Sequence, residues 1–381
     1  MIPFNRPAIV GPEYDYIRTA AEEFHLSGDG KFTKRCHAML EALTGTSRAL
    51  LTHSCTAALE MSAMLADIEP SDEVIMPSFT FVSTANAFAL RGAVPVFVDV
   101  RADTFNLDET RVEQAVTART RAIVPVHYAG VACDMDALRK IAARHGLMLI
   151  EDAAQGVGST WRGQPLGSIG DLGSLSFHET KNIIAGEGGA LLVNRADLIA
   201  RAEIVREKGT NRSQFYRGQV DKYTWVDLGS SFLPSELTAA FLCAQLEHAE
   251  QLTSERLQLW ERYHLAFEDI EADGLVRRPI VPVGCGHNAH MYYLLLPDLE
   301  MRQRFIADLR STGIGAVFHY VPLHSSRAGL RYGRVSGSMD NTVVASDRLV
   351  RLPMWNGLAP YQDQVIDAVR EALRRPSLPS R

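Results

Sequence analysis

Seven short apolar runs punctuate the first half of the chain, at residues 49–52, 73–76, 94–98, 122–126, 147–150, 174–177 and 190–193. Stretches with helical spacing lie between several of them, over 56–65, 83–90 and 135–143. Asp134 stands where a side-chain cap for the last of these belongs. Apolar runs of four or five residues between longer amphipathic stretches fit buried strands better than buried helices. The alternation therefore predicts an α/β fold, a large and mostly parallel seven-stranded sheet with helices on both faces. Pro95 and Pro125 cannot donate to a ladder, so the strands that hold them are expected to be irregular or shorter than their apolar runs.

The pattern changes near residue 197. A helix is predicted over 198–208, a polar loop over 209–214 and a long helical stretch over 235–267, opened by Pro234. Beyond it, predicted strands at 291–296 and 316–320 mix with predicted helices at 301–309 and 362–373. That mixture reads as a smaller α+β C-terminal domain, with the boundary near residue 250: domains 1–250 and 251–381. A length of 381 residues suits two domains. The tail, 376–381, is expected to fray.

Composition narrows the function classes. The net charge is −6 with no polybasic run, which argues against nucleic acid as a partner. The N-terminus lacks a charged lead followed by an apolar run, and no apolar stretch is long enough for a bilayer. The five cysteines are scattered, and no pair has zinc spacing. The expectation is a soluble cytoplasmic protein with reduced thiols, no metal and no membrane contact.

Only six of the thirty-nine basic residues are lysine. Arginine stays protonated, whereas a desolvated lysine can lose its proton and become an amine nucleophile. Lys181, in Ser176-Phe177-His178-Glu179-Thr180-Lys181, is thus the first candidate for chemistry; a solvated surface lysine is the plain alternative. Asp152 comes after the run at 147–150, where an open α/β sheet places ligand-binding groups. Its carboxylate could pair with a cationic ring nitrogen, or simply cap the next helical turn. His53-Ser54-Cys55-Thr56 marks a strand-to-helix junction whose amides suit a phosphate, with Thr56 and Ser176 adding hydroxyls; plain N-capping fits the same residues. An aromatic of Pro77-Ser78-Phe79-Thr80-Phe81 could stack on a planar ligand or fill the core. Gly186-Glu187-Gly188-Gly189 lacks a nucleotide-binding fingerprint and reads as a tight turn into the last strand.

Taken together, these segments resemble the DegT/DnrJ/EryC1 family of sugar-nucleotide aminotransferases, fold-type I pyridoxal-phosphate enzymes, over nearly the whole chain. Gly30-Lys31-Phe32-Thr33, Ser54-Cys55-Thr56-Ala57, the run from Pro77 to Asn86, Glu151-Asp152-Ala153-Ala154-Gln155 and the Lys181 segment carry the likeness. Residues 125–133, 208–215 and 319–324 resemble members that aminate C4 of dTDP-4-keto-6-deoxyglucose.

The resemblance implies pyridoxal 5'-phosphate as cofactor, glutamate as amino donor and a dTDP-keto sugar as acceptor, with the galacto product favoured over the gluco. It implies that Lys181 forms the Schiff base and shuttles the proton, that Asp152 pairs with the pyridine nitrogen and that Gln155 lies near the ring hydroxyl. Ser176, Cys55 and Thr56 would hold the phosphate, and Phe81 would stack on the ring. His319 and His324 would line the sugar pocket, and Arg212 would meet the diphosphate. A homodimer with shared active sites is implied too. Relatives usually supply an Asn to the phosphate from the second subunit, and Ser231 stands at that position here. Two other readings stay open: a 3-dehydratase, whose His in place of the lysine is absent here, and a non-catalytic cofactor-binding regulator.

Overall fold

The computed structural model describes residues 1–374, so the tail at 376–381 lies outside the described residues. All seven apolar runs form strands: β1 (Arg48–Thr52), β2 (Glu73–Pro77), β3 (Val94–Val98), β4 (Thr120–Ile123), β5 (Met148–Asp152), β6 (Leu172–Ser176) and β7 (Gly189–Val193). Three further strands of three or four residues come later in the chain, β8 (Tyr292–Leu295), β9 (Arg334–Ser336) and β10 (Leu349–Leu352). The large sheet has eight strands, not seven, in the order β1-β7-β6-β5-β4-β2-β3-β9. Within it β7 alone runs antiparallel to its neighbours. The added edge strand, β9, has the sequence Arg-Val-Ser and no apolar run to announce it. Arg334 holds it in place through two bonds to the buried Glu73, at 3.0 and 2.7 Å.

Successive residues of the central strands face opposite sides. Leu51, Val96 and Leu149 enter one core, shared with the helices Lys31–Thr44, Met135–His145 and Glu236–Glu247. Leu50, Phe97 and Ile150 enter another, beneath the helices Cys55–Leu65, Val82–Ala89 and Ile199–Arg206. Such two-sided burial is what continuous apolar runs dictate in a parallel sheet. Pro95 is accommodated inside β3, because β9 pairs only from Val96 onward. Pro125 lies just past the end of β4, whose run is cut short as expected; its carbonyl accepts from Asp152 N at 2.9 Å.

A separate core joins Tyr263, Tyr292, Phe305, Val350 and Val369. The long helical stretch at 235–267 is broken at His248 (φ −108°, ψ 13°) into Glu236–Glu247 and Ala249–Ala266. The break has a packing reason. Ala239 and Leu242 serve the sheet core, while Leu259, Trp260 and Tyr263 serve the separate one. The segment at 316–320 is not a strand; its one bridge to β10 pairs Val317 with Arg351. His319 and Tyr320 are instead drawn into an aromatic cluster with Phe79 and Tyr128. All five cysteines are free, and no described helix is long and apolar enough to cross a membrane.

Candidate active site

The carboxyl ends of β5 and β6 open on a cavity of about 590 Å³. Lys181, Asp152, Gln155, Ser176, Cys55, Thr56, Phe81 and His319 all line it. Three candidates do not. His324 is tied to Ser78, ring Nδ1 to Oγ at 2.8 Å. Arg212 lies over the Tyr216 ring at 5.2 Å on a surface helix. Ser231 is exposed and bridges Glu207.

Asp152 ends β5 and is buried. Thr84 Oγ1 donates to its Oδ2 at 2.7 Å, and Ala154 N donates to its Oδ1 at 3.1 Å. Burial pushes this carboxyl above its ordinary value, against the pull of those two donors and of Lys181. A cation placed beside it would reverse the shift. The turn after β6 brings Lys181 to the same cavity, its N–H bonded to His178 O at 2.9 Å. Burial pushes the Lys181 ammonium below its ordinary value; Cys55 and Asp152 oppose that, and the charge of Arg351 adds to it. A lysine so placed spends more of its time as the free amine.

The helix Cys55–Leu65 points its N-terminus at the cavity. Ser54 caps it, accepting from Ala57 N at 3.1 Å, so the capping reading of this junction is correct for Ser54. The amides of Cys55 and Thr56, in the first turn, have no intrahelical acceptor. Thr56 Oγ1 and Ser83 Oγ are 2.7 Å apart, and Ser176 Oγ accepts weakly from His178 N at 3.4 Å. The approach is close because β7 begins with Gly189. A Cβ there would press on Cys55 N and stand 2.5 Å from the Ser54 carbonyl carbon. The turn before it, at Gly186 (φ 79°), closes the hairpin between β6 and β7.

The two phenylalanines part company. Phe79 is core, packed on Tyr128 at 5.2 Å between centroids, whereas Phe81 is exposed on the cavity rim. Gln155 is held at both ends: Oε1 accepts from Ala129 N at 2.7 Å and Nε2 donates to Tyr320 Oη at 2.9 Å.

Residues 8–370 match the DegT/DnrJ/EryC1/StrS aminotransferase family. This chain belongs to that family. The spore coat polysaccharide biosynthesis protein SpsC of Bacillus subtilis is 32% identical over 98% of this chain and 97% of its own. The putative sugar aminotransferase Spr1654 of Streptococcus pneumoniae, solved in its PMP-form, is 26% identical with a TM-score of 0.90, over 98% and 99% of the two chains. The aminotransferase TlmJ of Streptoalloteichus hindustanus is 29% identical with a TM-score of 0.90, again over 98% and 99%.

Members of the DegT/DnrJ/EryC1/StrS family depend on pyridoxal phosphate, and the fold is that of fold-type I aminotransferases. The cavity suits that cofactor. It offers amides and hydroxyls for an anion at one helix end, a buried carboxylate for a cationic nitrogen, and an amine for an aldehyde. The Gly189 cradle leaves the anion end open where a side chain would fill it. Four further residues of this aminotransferase's cavity, Thr84, Tyr320, His290 and Arg351, escaped the sequence reading. Thr84 and Tyr320 sit inside motifs already singled out. His290 and Arg351 stand outside them, and only the packing of the second core brings them here.

Proposed function

We propose that the chain moves an amino group from glutamate to C4 of dTDP-4-keto-6-deoxyglucose, giving a dTDP-4-amino-4,6-dideoxyhexose with the galacto product favoured. The observation that carries the reading is the convergence of Lys181, Asp152 and the Cys55–Leu65 helix N-terminus on one cavity. A putative sugar aminotransferase and a polysaccharide biosynthesis protein among the relatives support a sugar acceptor. The resemblance of residues 125–133, 208–215 and 319–324 supports the dTDP-4-keto sugar.

When bound, pyridoxal phosphate supplies an electrophilic aldehyde and an electron-accepting ring. Lys181 Nζ would hold the aldehyde of the cofactor, and as a free amine it would be the base for the α-proton of the donor. Asp152, fixed by Thr84 and Ala154, would pair with the cationic ring nitrogen. Gln155 would lie near the ring hydroxyl and Phe81 would stack on the ring. The amides of Cys55 and Thr56, with the Thr56 and Ser176 hydroxyls, would hold the phosphate. His319 on the cavity wall would face the sugar, and in a homodimer Ser231 and Arg212, both outside this cavity, would reach that of the neighbouring subunit.

The purified protein, pyridoxal phosphate, glutamate and dTDP-4-keto-6-deoxyglucose together test the reading by proton NMR. Small couplings at the C4 proton identify an axial amine and the galacto product; large couplings overturn that stereochemistry. Unchanged keto sugar, with glutamate still converting the cofactor, discards this acceptor. Lys181→Arg keeps the charge and should abolish turnover; normal turnover by that variant would remove Lys181 from its role.

A further inference from the structure

His290 lines the cavity, and the proposed chemistry gives it no task. Its surroundings hold it in one place. The His290 N–H donates to Asn288 Oδ1 at 3.0 Å, and the His290 carbonyl accepts from the buried Arg256 at 2.6 Å. Asn288 is fixed in turn, its Nδ2 donating to the carbonyls of Gln155 and Val157, each at 2.8 Å. The ring itself meets Asn182, the residue after Lys181: His290 Nδ1 and Asn182 Oδ1 are 3.0 Å apart.

That contact decides where the ring carries its proton. Asn182 Nδ2 donates to Asn288 O at 2.7 Å. A carbonyl can only accept, so the Asn182 amide cannot be turned round, and Oδ1 is the atom that faces the imidazole. Oδ1 also only accepts, so Nδ1 is the protonated nitrogen. Burial first, then the charges of Lys181, Arg256 and Arg351, push the ring well below its ordinary value. Among the described residues no carboxylate pairs with it. A neutral imidazole protonated at Nδ1 presents a lone pair at Nε2. Among the described residues no protein group bonds Nε2, and that atom is not sealed in the interior. It opens on the cavity that the ring lines, and only a ligand can supply its donor.

The tautomer is also a selection rule. Glutamate presents carboxylates, which only accept, and an amine that is itself the reacting group. Around C4 of the keto sugar, the C4 oxygen and the ring oxygen accept, C5 carries a methyl, and the C3 hydroxyl donates. The link through Asn182 places the imidazole at the Lys181 end of the cavity, where the reacting carbon must lie. We propose that His290 is a specificity-determining residue, whose Nε2 accepts a hydrogen bond from the hydroxyl on the carbon beside the acceptor's carbonyl, C3 of the keto sugar. The inference rests on the sugar 4-aminotransferase reading.

The test begins with calorimetry on the cofactor-loaded enzyme. The probes are dTDP-6-deoxyglucose, which has no carbonyl to react, and its 3-deoxy analogue. The wild type should bind the first roughly tenfold more tightly, because losing the hydroxyl leaves Nε2 unpaired. His290→Asn keeps an amide against Asn182 and removes Nε2; it should bind the two probes equally. His290→Gln, whose Oε1 can stand where Nε2 stood, should keep part of the preference. The two half-reactions, followed by cofactor absorbance, give a second readout. In His290→Asn, kcat/KM for the keto sugar should fall at least about tenfold, while the glutamate half-reaction changes less than about threefold and reports a folded site. Equal binding of the two probes by the wild type overturns the proposal and leaves the aminotransferase reading standing. A preference that survives in His290→Asn overturns it too. So does an equal fall in both half-reactions, since His290 would then serve Lys181 or the cofactor. If neither probe binds the wild type and the keto sugar is not aminated, the acceptor reading itself fails and the proposal falls with it.

Discussion

The burial of Asp152 opposes a charge on its carboxyl. Burial lifts its carboxyl above the ordinary value, and the Thr84 hydroxyl and Ala154 amide do not cancel the effect. Linkage sets the sign of the consequence. A carboxyl raised in the folded state binds more protons there than in the unfolded chain. Stability therefore falls as pH rises through the window between the two values. Asp152→Asn should raise the melting temperature of the cofactor-free protein by about 1–3 °C at pH 7.5. The same change should slow the glutamate half-reaction by roughly 100-fold or more, because the ring nitrogen loses its counter-ion. Scanning calorimetry and stopped-flow absorbance read the two effects separately. A variant that melts lower than the wild type would show the carboxylate to be a structural asset.

At the scale of elements, two contacts decide whether the sheet presents its site. The first is the approach of β7 to the Cys55–Leu65 helix, which only a missing side chain permits. Gly189→Ala puts a methyl against rigid backbone at Ser54 and Cys55. It should cost about 1–3 kcal/mol of stability. Pyridoxal phosphate should bind at least about tenfold more weakly as the cradle widens; equilibrium dialysis of the cofactor measures this, and an unchanged affinity would separate the cradle from the phosphate. The second contact is Arg334 on Glu73. Arg334 first, with Arg119 and Thr117, holds the Glu73 carboxyl down at about 2. A depressed carboxyl contributes stability that is present above its ordinary value and lost as pH falls towards 2. Arg334→Met leaves a buried carboxylate with fewer partners and an unanchored β9, at a cost of about 3 kcal/mol at pH 7. In urea unfolding the gap between wild type and variant should narrow at pH 3. A gap independent of pH would mean that β9 matters through packing alone.

At the scale of the molecule, the sequence made legible whatever is local. Buried strands read as apolar runs, the helix N-terminus as Ser54-Cys55-Thr56, and the cavity's desolvated amine as a lysine in an arginine-rich chain. What it hid is set by partners far apart. Strand β9 exists through a bond spanning 261 positions. His290 and Arg351 reach the cavity only because the second core packs β8 and β10 there. A further long-range feature is the apolar strip around the loop after residue 208. Trp225 is 72% exposed, with Tyr216, Tyr223 and Leu228 exposed near it in sequence. Large exposed aromatics in one region mark an interaction surface. Ser231, on the same connection, is the residue proposed for a neighbouring subunit's phosphate. One association would account for both: the proposed homodimer, with this loop crossing to the second cavity. Sedimentation equilibrium of the wild type should then give twice the chain mass of 42.1 kDa. Trp225→Glu buries a charge in that contact and should yield monomers, with pyridoxal phosphate bound roughly tenfold more weakly and little turnover. A monomeric wild type that turns over normally would confine the site to one chain and withdraw Ser231 from it. A dimer that survives Trp225→Glu would place the interface elsewhere on the molecule.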